Sequence, residues 1–355
     1  MIPRWWERRR GSGEESAGTS APTSVGGPVG GTVLVLGVLS VLLCLVSLAV
    51  GSHSLTLEEV AGAFVPGRTT VASVIVWQLR MPRTVLAVMV RASLAVAGVV
   101  MQGLTRNPLA EPGILGINAG ASLSVVLSMS LLGLTDVSDF LWFAFAGAAL
   151  AAFLVHLMSV RSADAGPARL VLAGVALGAS LRSITGTITM YDSVTFDSYR
   201  FWVLGSLADR DAVLLVWVAP FLVVGLVLAL ASGLTLNALV LGEEQAKALG
   251  VSPRRARALA LISITLLCGA STAAVGPISF VGLVVPQVLR LALGADQRRL
   301  LAVSLVAGPV LLLAADVVGR VILDSGEMEA GVVTAFIGGP VLLLMVIQRM
   351  GVKGR

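Results

Sequence analysis

The stretch GTVLVLGVLSVLLCLVSLAV, residues 31–50, contains no charged residue. A helix needs about 20 such apolar residues to cross a hydrocarbon core of about 30 Å. The rest of the chain has the same character, because hydrophobic residues make up 56% of its 355 positions and charged residues 13%. A soluble domain carries about 25% charged residues. The sequence therefore predicts an all-α, polytopic membrane protein.

Apolar runs predict about ten transmembrane helices within residues 31–350. The eighth is short and is interrupted by Gly282 and Pro286, so a bent or incomplete span is expected there. Residues 1–30 are predicted to form a disordered, basic tail, and residues 351–355 a short C-terminal extension. The predicted spans are 31–50, 81–103, 114–133, 138–159, 167–190, 211–232, 255–275, 278–294, 300–322 and 331–349.

The basic residues predict the orientation of these spans. With the N-terminus in the cytoplasm, 17 of the 25 Lys and Arg residues fall on the cytoplasmic side, six outside and two within spans. Cytoplasmic loops carry an excess of Lys and Arg. We therefore expect a multi-pass protein of the plasma or inner membrane with both termini in the cytoplasm. The polar stretch LGEEQAKALGVSPRRARALA, residues 241–260, then begins in a cytoplasmic loop.

Three classes of membrane protein compete: an enzyme, an ion-coupled secondary transporter and the passive subunit of an ATP-driven transporter. The spacing of the His, Cys and acidic residues predicts no catalytic cluster and no metal site. Asp316 is the one carboxylate expected at membrane depth, and Arg320 one turn away would neutralise it. A phosphate-binding loop needs Lys followed by Ser or Thr. The two lysines precede Ala and Gly, so any ATP hydrolysis must belong to another polypeptide.

Four stretches resemble the FecCD-type permease subunits of type II ATP-binding-cassette importers for iron–siderophores, haem and cobalamin. The resemblance covers about residues 31–350 and implies a ten-helix permease fold. It is carried by LRMPRTVLAVMVRASLAVAGVVMQGLTRNPLAEPGILGINAGAS at 79–122, FWVLGSL at 201–207, GPISFVGLVVPQVLRLALGADQRRLL at 276–301 and AADVVGRVILDSGEMEAGVVTAFIGGPVLLL at 314–344.

In that family, the segment between the sixth and seventh spans docks on the ATPase. The resemblance therefore implies a cytoplasmic coupling segment at about residues 237–257, with charge pairs that fix its register. A plain solvated loop is the alternative. The implied coupling residues are Gly242, Glu243, Glu244, Ala246, Leu249, Gly250, Arg254 and Arg255.

Three external arginines, Arg80, Arg83 and Arg320, match positions that in the family contact acidic residues of a soluble binding protein. The alternative is that they anchor helix ends in lipid headgroups. Arg91 and Arg182 lie within predicted spans, where an arginine costs about 2.5–3.5 kcal/mol to insert. We assign both to the translocation pathway as a hypothesis, with structural pairing as the alternative.

The resemblance implies a transport subunit that is not an enzyme and holds no cofactor of its own. ATP and Mg would be bound by two ATPase subunits, and a binding protein outside the cell membrane would deliver cargo. A second permease copy or a paralogue would complete the pathway at a dimer interface, surrounded by membrane lipids, and no nucleic acid is involved. The expected cargo is a ferric siderophore. Cobalamin and haem stay open, as does an ion-coupled secondary transporter.

Overall fold

The structure is a computed structural model that describes residues 29–51, 55–65, 70–160, 167–207, 212–322 and 328–353. The predicted N-terminal tail lies outside these residues except for its last two positions, which begin the first helix. The described residues form helices joined by short connections. These are α1 Val29–Ala49, α2 Leu57–Gly62, α3 Val71–Val74, α4 Met81–Thr105, α5 Ile117–Leu132, α6 Val137–Val160, α7 Pro167–Tyr191, α8 Ser193–Val203, α9 Ala212–Ala231, α10 Gly233–Leu241, α11 Glu243–Ala248, α12 Pro253–Val275, α13 Val281–Leu293, α14 Gln297–Val321 and α15 Ala330–Lys353.

Each of the ten predicted spans coincides with an apolar helix. Seven of the described helical segments are long and apolar enough to cross a bilayer, and the other three predicted spans fall on shorter apolar helices. The all-α membrane fold predicted from the sequence is therefore confirmed. The eighth predicted span is α13, which has 13 residues and contains Pro286. At about 1.5 Å per residue, it is too short to cross the hydrocarbon core.

The centre of the fold is α4, whose residues 92–104 are all buried. It packs against α12, α13 and α14. Glycine makes the closest approaches possible: a side chain on Gly98 would collide with the backbone of Gly282, and one on Gly308 with the backbone of Arg91. Small residues at helix contacts allow this kind of packing where lipid gives no hydrophobic drive. The core is therefore held by close backbone contact around α4.

The connection between α4 and α5, residues 106–116, begins at the surface with Arg106 and Asn107 and then turns into the protein. Arg106 ends α4 in the left-handed conformation, and Pro112–Leu115 forms a single 3-10 turn. Ala110 and Leu115 are fully buried. The two prolines of the stretch RNPLAEPG prevent a continuous helix. The second half of the α4–α5 loop therefore packs against the interior.

Candidate functional site

The coupling segment, residues 237–257, contains the end of α10, all of α11 and the first turn of α12. Glycines end the short helix α11 on both sides, since Gly242 has φ 129° and Gly250 has φ 77°. After α11, the Gly250 amide donates to Lys247 O and the Val251 amide to Ala246 O, both at 2.9 Å. This pair of bonds is the Schellman ending of a helix, which favours glycine in the left-handed position. The two glycines therefore fix where α11 begins and ends.

The predicted coupling residues divide into an inner and an outer group. Ala246 is completely buried and packs within this chain. Glu244, Leu249, Gly250, Arg254 and Arg255 are exposed, and Leu249 exposes 63% of its surface although it is apolar. An exposed leucine at a turn bounded by glycines is a suitable contact for a partner protein. The docking role of the outer group stays a prediction.

One charge pair fixes α11 against α12, and it differs from the pairs expected from the sequence. Glu243 accepts a hydrogen bond from the Arg257 guanidinium, and both side chains are partly exposed. Among the described residues, Glu244, Arg254 and Arg255 form no ion pair. Arg257 lies almost one helical turn after Arg254, and α11 approaches that face of α12. This pair lies within the chain, with Arg257 as the basic partner. Charge pairs that fix the register of the segment on an ATPase stay a prediction.

A second polar link holds α10 to the connection between α13 and α14. The Asn237 side-chain amide donates to Asp296 Oδ1 at 2.9 Å, and its oxygen accepts from the Gln297 backbone amide at 2.8 Å. The bond from Asn237, together with backbone amides of the first turn of α14, lowers the pKa of the Asp296 carboxyl below its ordinary value. The coupling segment is thus attached at two points, to α12 and to the start of α14.

The Glu243–Arg257 pair gives a direct test of this attachment. Glu243→Arg is expected to raise amide hydrogen exchange in residues 243–251 by about fivefold, the effect of losing a partly exposed pair worth about 1 kcal/mol. Adding Arg257→Glu exchanges the charges and should restore the slow exchange. If the double variant exchanges as fast as the single one, the pair does not fix α11.

Arg80 and Arg320, two of the three arginines predicted to lie outside, reach the C-terminal end of α1. Arg80 donates to Leu48 O at 2.6 Å, and Arg320 donates to Ser47 O at 2.9 Å and to Val50 O at 3.2 Å. The last carbonyls of a helix have no partner within the helix and carry partial negative charge. The last turn of α1 has no basic residue of its own. Arginines from two other parts of the chain therefore cap this helix.

Asp316 joins two of the three predicted docking residues. Its Oδ1 accepts from Arg83 at 2.9 Å, and its Oδ2 accepts from Arg320 on the next turn of α14. The predicted neutralisation of Asp316 by Arg320 is therefore confirmed. Arg80 and Arg320 are each only 7% exposed, and the side chain of Arg83 is 14% exposed. In this conformation the three arginines serve internal contacts, and docking on a binding protein stays a prediction.

Arg91 lies in the middle of α4 and has no exposed surface. Its three side-chain nitrogens are buried without a hydrogen-bond acceptor among the described residues. Asp316 acts on it electrostatically, but the carboxylate oxygens are already used by Arg83 and Arg320. Arg91 is enclosed by the tight packing around α4, and its assignment to the translocation pathway stays a prediction.

Arg91→Met is expected to stabilise the protein. Insertion scales assign about 2.5–3.5 kcal/mol to an arginine at the centre of a span, and apolar replacement of poorly satisfied buried charges is often stabilising. The thermal unfolding midpoint of the purified chain in detergent should rise, while Arg182→Met, a change on an exposed face, should alter it little. A fall in the midpoint of Arg91→Met would mean that attraction to Asp316 exceeds the cost of burial.

Arg182 is exposed on α7 and folds back over Gly178. The same helix exposes the polar side chains of Ser180, Ser183 and Thr187. A helix of a membrane protein with an exposed face that mixes polar and apolar residues is suited to a pathway or a subunit contact. The structure does not bring Arg91 and Arg182 together as one site. The pathway role of Arg182 stays a prediction.

An open cleft of about 530 Å³ lies between the end of α8, the α12–α13 connection and the first half of α15. Its walls are mainly apolar, with Ser279 as the polar side chain. The backbones of these elements meet closely, since the Gly331 amide donates to Gly205 O at 3.1 Å. The lining residues are Val203, Leu204, Pro277, Ser279, Phe280, Gly331, Val332, Ala335, Phe336 and Pro340.

One carboxylate beside this cleft was missed by the sequence reasoning. Glu111, on the α4–α5 loop, accepts a hydrogen bond from the Phe280 backbone amide at 2.6 Å. Burial raises the pKa of the Glu111 carboxyl above its ordinary value, and the bond from Phe280 opposes that rise. A signal was present, because Glu111 is the single charged residue between Arg106 and Asp136.

Comparison with known proteins shows which family and which permeases the chain is similar to. Residues 38–348 match the sequence profile of the FecCD transport family. The ferric enterobactin transport system permease protein FepD of Escherichia coli (strain K12) is 44% identical over 305 residues, which cover 85% of this chain and 91% of FepD. The vitamin B12 import system permease protein BtuC of Yersinia pseudotuberculosis is 42% identical over 285 residues, covering 78% of this chain and 83% of BtuC.

A solved structure agrees with the sequence comparisons. A metal-chelate type ABC transporter in an inward-facing conformation superposes with a TM-score of 0.79 at 28% identity, covering 90% of this chain and 99% of the other. The matched residues 38–348 include all four stretches that carry the resemblance. This chain belongs to the FecCD transport family.

Proposed function

We propose that this chain is the permease subunit of an ATP-driven importer of ferric siderophores. The observation that carries the proposal is the match to the FecCD transport family over residues 38–348 together with 44% identity to a ferric enterobactin permease. The glycine-bounded turn of α11, with its exposed Leu249, supplies a contact for an ATPase. The chain itself performs no chemistry in this proposal.

The transport unit we infer contains two permease chains, two ATPase subunits and a binding protein. ATP and Mg are held by the ATPases, which move the coupling segment and thereby α12 and α14, because Arg257 and Asp296 attach the segment to those helices. The pathway lies between the permease chains, which are copies or paralogues. Both termini lie in the cytoplasm and the chain spans the plasma or inner membrane, as the distribution of basic residues indicates.

Cobalamin is the second candidate cargo, because a vitamin B12 permease is nearly as similar in sequence as the siderophore permease. Uptake distinguishes the two in cells from which the gene for this chain has been deleted. We expect loss of radiolabelled ferric enterobactin uptake, its recovery with the intact gene, and unchanged uptake of labelled cobalamin and haem. Loss of cobalamin or haem uptake alone would keep the importer and replace the cargo.

A further inference from the structure

The backbone of Phe280 has φ 70° and ψ −23°, immediately before α13. Among the described residues, only Phe280 and Arg106 have positive φ without being glycine. A bulky side chain rarely adopts this conformation, and it persists where surrounding contacts enforce it. The position of Phe280 therefore needs a structural cause.

The Glu111 carboxylate supplies that cause. Its Oε1 accepts from the Phe280 amide at 2.6 Å, across 169 residues of sequence. A carboxylate acceptor gives a shorter and stronger bond than a neutral one. The neighbouring Pro112 packs against Gly282 in the first turn of α13. Glu111 and Pro112 together hold the start of α13 against the α4–α5 loop.

The conformation of Phe280 determines one wall of the cleft. Phe280 lines the cleft together with Leu204 and Phe336. Its side chain lies directly against Gly338 of α15, where any side chain would collide with it. If the Phe280 backbone relaxed to a negative φ, its side chain would leave this place and the wall would change. The carboxylate is thus connected to the cleft through one backbone hydrogen bond.

The α4–α5 loop also touches the helix that carries Arg182. Gly116, at the end of the loop, lies against Gly174 and Gly178 of α7. At its other end, Arg106 lies within electrostatic reach of Arg257, which holds the coupling segment. The loop therefore lies between the coupling segment and both the cleft and α7.

We propose that Glu111 is a positioning residue for transport, which holds Phe280 in its left-handed conformation so that the ring forms a wall of the cleft. The α4–α5 loop and this wall then move together. The inference rests on the proposed importer function, because it treats the cleft as part of the cargo path.

The first experiment measures how accessible the cleft wall at position 279 is to a reagent, and it does not require transport. Ser279→Cys, in a chain whose Cys44 and Cys268 are replaced by alanine, is labelled with N-ethylmaleimide in membranes. Adding Glu111→Leu is expected to raise the labelling rate about tenfold, as loss of a hydrogen bond to a charged group allows the segment to open. Glu111→Gln keeps an acceptor oxygen and should stay near the parent rate. Equal rates for Glu111→Leu and the parent would overturn the proposal.

The matched control is Glu58→Leu, the same substitution at an exposed position of α2. It should leave the labelling rate unchanged. If Glu111→Leu does not accumulate in the membrane, the double variant Glu111→Leu, Phe280→Gly tests whether the strained backbone at position 280 is the cause. Glycine adopts φ 70° without strain, so the double variant should accumulate again. Its continued absence would overturn the proposal.

The second experiment measures uptake of radiolabelled ferric enterobactin in cells that carry each variant at equal membrane level. Glu111→Leu should reduce uptake about tenfold, and Glu111→Gln should retain most of it. Uptake by Glu111→Leu equal to that of Glu58→Leu would overturn the positioning role. If even the parent chain takes up none of this probe, the proposed cargo fails, and the labelling experiment still decides the role of Glu111.

Discussion

Asp316→Ala is expected to destabilise the protein by about 3–5 kcal/mol, the effect of removing one partner of a buried ion pair. Asp316 is 1% exposed and accepts from both Arg83 and Arg320. Without it, the guanidinium groups of Arg83 and Arg320 would lose a buried carboxylate that both of them contact. The attraction to the carbonyls of α1 would remain, but those carbonyls carry only partial charge.

Thermal unfolding of the purified chain in detergent measures this effect. Asp316→Ala should lower the midpoint strongly, and Asp316→Asn, which keeps one acceptor oxygen, should lie between Ala and the parent. Asp139→Ala is the matched control, because Asp139 is exposed at the start of α6. An unchanged midpoint for Asp316→Ala would show that other groups neutralise the arginines.

Leu249→Glu is expected to abolish ATP-driven uptake while leaving the folded permease in the membrane. Leu249 projects at the end of α11 and is 63% exposed, so a charge there disturbs no internal contact. In a docked complex the same side chain would lie in the contact, where an unpaired carboxylate must lose its water. Interfaces concentrate their binding energy in a few such buried side chains.

Uptake of labelled ferric enterobactin and co-purification with the ATPase measure the result. Leu57→Glu is the matched control, since Leu57 is also exposed but begins α2, beside Glu58 and Glu59. The control should transport normally. Normal uptake by Leu249→Glu would remove this residue from the ATPase contact.

Long apolar runs made most of the fold predictable from sequence. Hydropathy located all ten predicted spans, and length distinguishes seven of the described helical segments as able to cross a bilayer. The turn of α11 was also recognisable, because Gly242 and Gly250 mark both ends of a short helical segment. These features depend on local sequence, which is why they needed no knowledge of neighbouring helices.

The partners of the arginines could not be predicted in the same way. Arg80 and Arg320 bind carbonyls of α1, and every residue of every helix has a carbonyl, so no sequence pattern marks the acceptor. The choice of Arg257 over Arg254 depends on which face of α12 meets α11. Glu111 was overlooked because the prolines on both sides indicate a rigid connector, in which a single carboxylate has no sequence pattern that marks its partner.

The capping of α1 by distant arginines has a consequence for how the protein is made. The bond from Arg320 to Ser47 joins residues 273 positions apart. During synthesis, Arg80 follows soon after α1 and can bind Leu48 O, whereas Arg320 lies in the ninth predicted span, so Ser47 O gains its Arg320 partner only after seven complete further spans have been made. The complete capping of the first helix is therefore a late step of biogenesis. A chain that ends before α14 has a first helix that lacks the bond from Arg320.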